Sequence, residues 1–270
     1  MKSREMLLGF VLCLFVIGVQ AARVDTVMVK SPSMKKEVKV VYVIPDKAIE
    51  KKACPVVYLL HGYGGNARSW VELKPELPQI ADEKGMIFVC PDGKNSWYWD
   101  SLKDPSYQYE TFISSELVNY TDTHYATVAD RKARAISGLS MGGHGALWNA
   151  IRHKDVFGAA CSMSGGVDIR PFPKNWEMSK QLGEYNDNKA VWEAHTVINQ
   201  LDKLENGDLA LIIDCGEDDF FLEVNKDLHN RLLAKKIDHD FITRPGGHTG
   251  TYWNNSIDYH ILFIDKFFKK

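Results

Sequence analysis

Short apolar runs separated by longer mixed segments set the pattern of the chain from residue 24 onward. Two β-rich stretches come first, residues 24–29 and 37–44, and the turn residues between them predict an antiparallel pair at a sheet edge. Nearly continuous apolar runs then recur, a pattern typical of strands buried on both faces of a parallel sheet. These runs are residues 56–60, 86–90, 133–137, 158–163, 209–214 and 241–244.

Helical periodicity occurs between these runs. Phe221, Val224, Leu228 and Leu232 recur at spacings of three and four residues, which places them on one face of a helix. A C-terminal helix is predicted to begin at Ser256. Its apolar face consists of Ile257, Ile261, Ile264 and Phe268. Alternating strands and helices predict an α/β fold, with a mostly parallel central sheet and helices on both faces.

The longest interruption of this alternation is residues 166–206. It is rich in Pro, Asn, Trp and charged residues, and a short helical pattern covers residues 189–201. We interpret this segment as a small lid-like insertion over the edge of the sheet, not as a second domain. The sequence therefore predicts a single catalytic domain over residues 22–270.

The first residues have the pattern of an export signal. Lys2 and Arg4 precede an apolar run over residues 7–19, and small residues follow up to Ala21. The run is shorter than the ~20 apolar residues needed to cross a bilayer, so we expect no stable membrane anchor. Residues 1–21 are thus predicted to be a signal peptide, and the mature protein is predicted to be periplasmic or secreted.

Charge and composition indicate which classes of binding partner the protein is suited to. The chain has 33 Lys and Arg against 35 Asp and Glu, a formal net charge of -2, and 45% hydrophobic residues. No long run of one sign is present, so the sequence gives no indication of a nucleic-acid partner. The composition is that of a globular protein with a sizeable core, and it leaves the oligomeric state open.

Five cysteines are present, and Cys13 lies inside the predicted signal. Cys90, Cys161 and Cys215 each lie near the end of an apolar run, where cysteine behaves as a small buried hydrophobic residue. We therefore expect free buried thiols. An exported protein is able to form disulfides, and Cys161 with Cys215 is the pair to expect if their runs are neighbouring strands.

A candidate nucleophile lies in the segment Gly138-Leu139-Ser140-Met141-Gly142-Gly143. The segment follows the run at residues 133–137 and precedes a helical pattern. A serine on a sharp strand-to-helix turn has its hydroxyl exposed at the end of the sheet, and side chains at the flanking glycines would collide with strand and helix. This context predicts that Ser140 is the nucleophile.

A candidate oxyanion hole begins with His61-Gly62-Tyr63-Gly64-Gly65, directly after the run at residues 56–60. Folds of this class place their sites at the carboxyl ends of the central strands. Two preorganised backbone amides there can stabilise the oxygen that becomes negatively charged in a tetrahedral intermediate. The candidate amides are those of Tyr63 and Met141.

A serine hydroxyl needs a base, and the base needs a group that orients it. His248 lies in a loop after the last apolar run, where this chain order places the base. The acid is expected in the loop over residues 215–220, after the preceding run. Position alone favours Asp219 only slightly over Asp218, and either side chain is also able to cap a helix.

Several of these motifs together resemble the putative-esterase family of α/β-hydrolases. That family includes esterase D and S-formylglutathione hydrolases, tributyrin esterases, feruloyl esterases and mycolyltransferases. The resemblance covers roughly residues 38–268, and its motifs are His61 to Gly65, Pro91-Asp92-Gly93, Gly138 to Gly143, Cys215 to Phe220, and Gly247-His248-Thr249 with Tyr252-Trp253. It implies the α/β-hydrolase fold, ester hydrolysis without a cofactor, and Asp219 as the acid of a Gly-x-x-Asp-Phe pattern.

The resemblance also restricts the substrate. S-formylglutathione hydrolases usually work in the cytosol and many have a Ser-Gly-Leu-Thr type oxyanion loop, whereas this chain has a predicted export signal and His-Gly-Tyr-Gly-Gly. In these two features the chain is more similar to the tributyrin and feruloyl esterases. Trp97, Trp99 and Trp253 are expected near the cleft, where flat rings stack on sugars or phenolic acids. No cysteine or histidine spacing indicates a metal site.

We therefore expect a serine esterase that acts on short-chain, acetyl or feruloyl esters of carbohydrates. The alternatives are acyl transfer to a sugar or lipid hydroxyl, a thioesterase similar to S-formylglutathione hydrolase, and a glycan-binding module without turnover. Acyl transfer shares its first half-reaction with hydrolysis, so sequence does not separate the two.

Overall fold

The computed structural model describes residues 22–270. The predicted signal peptide, residues 1–21, and its Cys13 lie outside the described residues. Eight strands form one sheet, and they are β1 (Arg23–Ser31), β2 (Lys36–Ile44), β3 (Val56–Leu60), β4 (Ile87–Pro91), β5 (Arg134–Leu139), β6 (Ala159–Met163), β7 (Ala210–Gly216) and β8 (Asp240–Arg244).

The strands lie in the order β1-β2-β4-β3-β5-β6-β7-β8. β1 pairs antiparallel with β2, and β2 pairs antiparallel with β4. The other neighbours pair parallel, because helical segments carry the chain back between strands. All eight strands were predicted from the β-rich stretches and apolar runs, with bounds that differ by at most two residues.

Helices follow most of the strands. They are α1 (Asp46–Ile49), α2 (Ser69–Leu73), α3 (Leu77–Lys84), α4 (Tyr109–Thr111), α5 (Leu117–His124), α6 (Met141–Arg152), α7 (Ser179–Leu182), α8 (Lys189–Ala194), α9 (Leu222–Ala234) and α10 (Gly250–Phe268). A π-helical turn, Phe112–Glu116, joins α4 to α5. Over residues 22–270, none of the helices combines the length and the hydropathy that a membrane span requires.

Alternate residues of the central strands pack against different helices. Val56, Tyr58 and Leu60 of β3 belong to a core that includes side chains of α5, α6 and α9. Val57 and Leu59 belong to a second core with side chains of α2, α3 and α10. Both faces of the sheet are therefore covered, and burial of each large apolar side chain contributes about 1.5–3 kcal/mol. The predicted α/β architecture is confirmed.

Two helix boundaries differ from the sequence prediction. The C-terminal helix begins at Gly250, six residues before the predicted start at Ser256. The hydroxyl of Thr249 accepts a hydrogen bond from the Tyr252 amide at 3.3 Å and caps the helix. The pattern over residues 189–201 is only partly α-helical, since α8 ends at Ala194 and short 3₁₀ turns follow.

The four cysteines of the described residues are buried free thiols: Cys54, Cys90, Cys161 and Cys215. β6 and β7 are neighbours, as a disulfide between Cys161 and Cys215 would require. Cys161, however, pairs with Ile212, and Cys215 lies three residues further along β7. An odd offset places its side chain on the opposite face of the sheet, which explains why the two sulfurs are not bonded.

Candidate active site

Ser140 lies at the junction of β5 and α6 in a conformation that few side-chain-bearing residues adopt. Its φ is 56° and its ψ is −118°. The Ser140 amide donates a hydrogen bond to the Met163 carbonyl at 2.8 Å, which fixes the turn to the neighbouring strand. A strained backbone of this kind persists only where the surrounding structure determines it, and here it exposes the hydroxyl at the carboxyl end of the sheet.

The two glycines that flank Ser140 allow this turn to form. A Cβ atom on Gly138 would lie 2.2 Å from the Gly142 carbonyl oxygen, and one on Gly142 would lie 2.2 Å from the Leu60 carbonyl oxygen. The first turn of α6 therefore packs directly on the backbones of β5 and β3. A side chain at either position would displace α6 and move Ser140.

A chain of hydrogen bonds joins the three residues that the sequence analysis selected. His248 Nε2 lies 2.9 Å from Ser140 Oγ, and His248 Nδ1 lies 3.0 and 2.9 Å from the two carboxylate oxygens of Asp219. Asp219 is buried and also accepts the Phe221 amide at 2.8 Å. Because Nδ1 donates to the carboxylate, Nε2 is left free to accept the proton of the serine hydroxyl.

The rival acid, Asp218, has a different environment. Its side chain is exposed, and its backbone amide donates to the Gly246 carbonyl at 2.9 Å. Only Asp219 of the two contacts His248 within the described residues. The geometry therefore supports Asp219.

The predicted oxyanion loop lies beside Ser140. A Cβ atom on Gly62 would lie 3.4 Å from Ser140 Cβ, and Tyr63 lines the same cleft. Met141 is the first residue of α6, where an amide has no acceptor in a preceding helical turn. The structure thus brings both predicted amide donors to the candidate nucleophile.

The shape of this loop depends on His61 and a second loop. His61 Nε2 accepts a hydrogen bond from the Gly93 amide at 2.9 Å, and Tyr98 Oη donates to the His61 carbonyl at 3.0 Å. Asn95 Oδ1 accepts the Gly64 amide at 2.8 Å. These contacts give a structural role to the Pro91-Asp92-Gly93 motif, since the loop that follows it supports the glycines beside Ser140.

The site opens into a cleft of about 600 Å³. Its wall is largely apolar and aromatic, and it includes Leu73, Leu139, Trp176, Phe220 and Trp253. The predicted residue Trp253 lies here, with its ring centroid 4.8 Å from that of His248 and its Nε1 donating to Ser164 Oγ at 3.1 Å.

Trp176 and Phe220 line the cleft but were not predicted as site residues. Their rings stack with centroids 5.8 Å apart, and the Phe220 ring lies 4.3 Å from that of His248. Phe220 directly follows Asp219, so the Gly-x-x-Asp-Phe pattern that indicated the acid also contained this cleft residue. Trp176 lies in the insertion between β6 and β7. The only sequence signal for it was a large aromatic residue among polar neighbours.

The prediction that Trp97 and Trp99 contact substrate is wrong. Each side chain is only 1% exposed, and their rings stack on one another with centroids 5.6 Å apart. Positive φ values at Trp97 (56°) and Tyr98 (61°) turn this segment into the core. Trp97 instead supports the cleft from below, because its ring contacts that of Trp176 at 5.9 Å.

Comparison with known proteins agrees with this geometry. The family model described as "Putative esterase" matches residues 31–264. The chain belongs to this esterase family. The acetyl esterase of Caldicellulosiruptor saccharolyticus is 27% identical over 250 residues, which cover 84% of this chain and 92% of that enzyme. The S-formylglutathione hydrolase of Bos taurus is 24% identical over 225 residues, with 76% and 78% covered.

A solved ferulic acid esterase also superposes on the chain. The TM-score is 0.78 at 27% identity, and the match covers 92% of this chain and 100% of that one. The α/β-hydrolase fold of this esterase is thereby established. Its function, at the level that the family shows, is that of a carboxylic ester hydrolase.

The loops that carry Asp219 and His248 are joined to each other. The Glu217 amide donates to the Arg244 carbonyl at 2.9 Å. Beneath them, Arg244 forms an ion pair with buried Asp214 at 2.5 Å, and Tyr252 Oη donates to the same carboxylate at 2.5 Å. Burial raises the pKa of Asp214, although the Tyr252 and Arg244 contacts oppose this shift. These contacts fix the position of the Asp219 loop relative to the His248 loop.

The insertion forms one wall of the esterase cleft. Trp176 and Glu177 both have positive φ, 50° and 53°, so the chain turns sharply at the point where it meets the oxyanion loop. Tyr63 Oη donates to Glu177 Oε2 at 3.0 Å, and Glu177 also pairs with Lys180.

Among residues 22–270, no group of three His, Cys, Asp or Glu side chains is placed to hold a metal ion.

Two histidines outside the site make the stability of this esterase sensitive to acid. Burial lowers the pKa of His144 and of His260 to about 3. In the unfolded chain both would protonate near their ordinary pKa of about 6.5, so the unfolded state binds more protons below that pH. The stabilisation is complete above about pH 6.5 and is lost as the pH falls, by about 1.4 kcal/mol per pH unit for each histidine.

We therefore expect His260→Gln to make the decline in unfolding free energy between pH 6 and 4 shallower by about 1.4 kcal/mol per pH unit. Urea titrations at several pH values measure this slope. The exposed His124 provides a matched control, since His124→Gln should leave the slope unchanged. An unaltered slope in His260→Gln would contradict the assignment.

Proposed function

We propose that the protein is an exported serine carboxylic ester hydrolase that acts through Ser140, His248 and Asp219. The observation that carries the proposal is the continuous hydrogen-bonded chain from the Ser140 hydroxyl through His248 to the buried carboxylate of Asp219. Family membership supports the hydrolase reaction, and the N-terminal pattern of residues 1–21 supports export.

In the first half-reaction, Ser140 Oγ attacks the ester carbonyl carbon while His248 Nε2 takes the hydroxyl proton. The negative charge that develops on the carbonyl oxygen is stabilised by the backbone amides of Tyr63 and Met141, each of which contributes about 3 kcal/mol. The intermediate then collapses, the bond to the alcohol oxygen breaks, and His248 donates its proton to that oxygen. The acyl group remains bound to Ser140 as an ester.

In the second half-reaction, water takes the place of the alcohol. His248 Nε2 accepts a proton from the water as its oxygen attacks the acyl carbonyl carbon. Collapse of this second intermediate breaks the bond to Ser140 Oγ, and His248 returns the proton to the serine. The products are a carboxylic acid and the free enzyme, while Asp219 keeps His248 in the correct tautomer throughout.

We propose short-chain or aromatic acyl esters of carbohydrates, such as acetyl or feruloyl esters, as the substrates. The cleft wall of Trp176, Phe220 and Trp253 provides flat apolar surfaces for a small or planar acyl group. The insertion around Trp176 also carries exposed charges at Glu177 and Lys180, unlike the broad apolar surface with which a lipase meets lipid. The names of the acetyl esterase and ferulic acid esterase relatives are consistent with this choice.

Acyl length provides a direct test. The cleft is open to solvent, so the far end of a long acyl chain would stay exposed. Each methylene that cannot be buried forgoes about 0.8 kcal/mol. We expect kcat/KM for acetyl to butyryl esters and for methyl ferulate to exceed that for acyl chains longer than about ten carbons. Rates that keep rising with chain length would show that the aromatic wall lines a lipid channel.

A further inference from the structure

The first residue of the oxyanion loop, His61, uses both of its ring nitrogens. Nδ1 lies 2.7 Å from the carbonyl oxygen of Gly62, and Nε2 lies 2.9 Å from the amide nitrogen of Gly93. A carbonyl oxygen only accepts a hydrogen bond and a backbone amide only donates one, so the two partners fix the tautomer. The His61 ring is therefore neutral, with a proton on Nδ1 and a lone pair on Nε2.

The surroundings of the ring agree with this tautomer. Asp92 Oδ1 is 3.8 Å from Nε2, too far for a hydrogen bond, and the Asp92 carboxylate instead pairs with Lys94 at 2.8 Å. The His61 side chain is only 1% exposed, so solvent does not compete for either nitrogen. A Cβ atom on Gly65 would lie 2.8 Å from Nδ1. The ring thus packs inside the loop, in the space that a side chain at Gly65 would need.

The bond to Gly62 sets the direction of the Tyr63 amide. The Gly62 carbonyl and the Tyr63 N–H belong to one peptide plane, and in a trans peptide they point in opposite directions. The carbonyl is turned towards the His61 ring and also accepts the Gly65 amide at 3.0 Å. The Tyr63 N–H consequently points away from the ring, and it has no acceptor within the part of the chain that the structure describes. An oxyanion hole requires such a free donor beside the nucleophile.

We propose that His61 is a positioning residue for ester hydrolysis, and that its Nδ1 proton holds the Gly62–Tyr63 peptide in the orientation that the oxyanion requires. The inference rests on the proposed function, in which the Tyr63 amide is one of two oxyanion donors. The Gly93 amide contributes indirectly, because its bond to Nε2 keeps the proton on Nδ1. The loop that follows β4 therefore influences the reaction through the histidine ring.

Two substitutions separate this role from simple support of the loop. In His61→Asn, the side-chain NH2 group lies near the former Nδ1 and is able to donate to Gly62, but nothing accepts the Gly93 amide. In His61→Gln, the longer side chain brings its amide oxygen near the former Nε2, where it accepts from Gly93, but no proton reaches Gly62.

We expect kcat to fall by about 100-fold in His61→Gln and to stay within about tenfold of wild type in His61→Asn. KM should change little in either variant, because the lining of the cleft does not include His61. Steady-state kinetics with 4-nitrophenyl acetate measures both constants. Support of the loop alone predicts the opposite ranking, since only His61→Gln keeps the bond to Gly93.

Inhibitor binding provides a second measurement, which does not depend on the fraction of folded enzyme. Ser140 Oγ adds to the carbonyl carbon of a trifluoromethyl ketone, its proton passes to His248, and the carbonyl oxygen becomes an oxyanion. The corresponding trifluoromethyl alcohol fills the same cleft without forming this charge. We expect the ratio of the two inhibition constants, ketone to alcohol, to rise by about 100-fold in His61→Gln and by less than about tenfold in His61→Asn.

His260→Gln is the matched control. His260 is buried to the same degree, and its Nδ1 lies 3.3 Å from Ser137 Oγ of β5. This variant should leave kcat and the ratio of inhibition constants unchanged. Equal losses in the two His61 variants, a larger loss in His61→Asn, or no loss in either would overturn the proposal.

The wild-type enzyme separates failure of this inference from failure of the proposed function. If it hydrolyses 4-nitrophenyl acetate and binds the ketone more tightly than the alcohol, the ranking of the His61 variants decides the inference alone. If it hydrolyses no ester and does not distinguish the two inhibitors, the proposed function is wrong and the inference is overturned with it.

Discussion

Ser140→Ala is expected to lower kcat by about 10⁶ while the fold persists. In the proposed mechanism the hydroxyl supplies the attacking oxygen. Its side-chain hydrogen bond is to His248 alone within the described residues. Alanine keeps the backbone turn and the glycine contacts of α6, so stability should change little. The residual rate would come from binding in the cleft and from the oxyanion amides.

Two measurements check this expectation. Hydrolysis of 4-nitrophenyl acetate gives kcat, and mass spectrometry after treatment with an organophosphonate identifies the labelled residue as Ser140. Ser33→Ala, in the turn between β1 and β2, is a control that should retain full activity. Labelling of a different serine would remove Ser140 from the mechanism.

Asp219→Asn is expected to lower kcat by about 10⁴ with little change in KM. The amide of asparagine is able to donate to His248 Nδ1, which would place the ring proton on Nε2 and leave no acceptor for the Ser140 proton. KM should be preserved because Asp219 is buried behind His248 and does not line the cleft.

The neighbouring carboxylate provides the control for this substitution. Asp218 is exposed and, among the described residues, its side chain forms no hydrogen bond with His248, so Asp218→Asn should change kcat by no more than about threefold. Steady-state kinetics on both variants gives the ranking. If Asp218→Asn caused the larger loss, Asp218 would be the residue that orients the base.

The strands of the sheet and the positions of Ser140, His248 and Asp219 could be predicted from the sequence. Strands that are buried on both faces must be largely apolar along their length, as β3 is, so they stand out without an alignment. Each candidate residue then follows a strand at its carboxyl end, and the order of the chain limits the choices. Spacing did not separate Asp218 from Asp219, because both lie in the same short loop.

Other features depend on backbone conformation and side-chain direction, which the pattern of apolar and polar residues does not determine. The sequence places Trp97 in a loop at the active-site end, but only the positive φ values of Trp97 and Tyr98 decide that its ring points into the core. The start of α10 was missed because its first turns serve the site. Tyr252 and Trp253 contact Asp214 and His248 there, so they do not follow the apolar spacing of the later turns.

The candidate base and the candidate nucleophile follow strands that differ in position and burial. β5, which leads into Ser140, lies between β3 and β6 and is buried along its length. β8, which leads into His248, is at the edge, pairs with β7 alone among the described strands, and consists of half-buried or exposed residues. Separating an edge pair requires less free energy than unfolding the whole domain. We therefore expect activity to be lost through local opening at β7 and β8, at a smaller free energy than that of unfolding the whole chain.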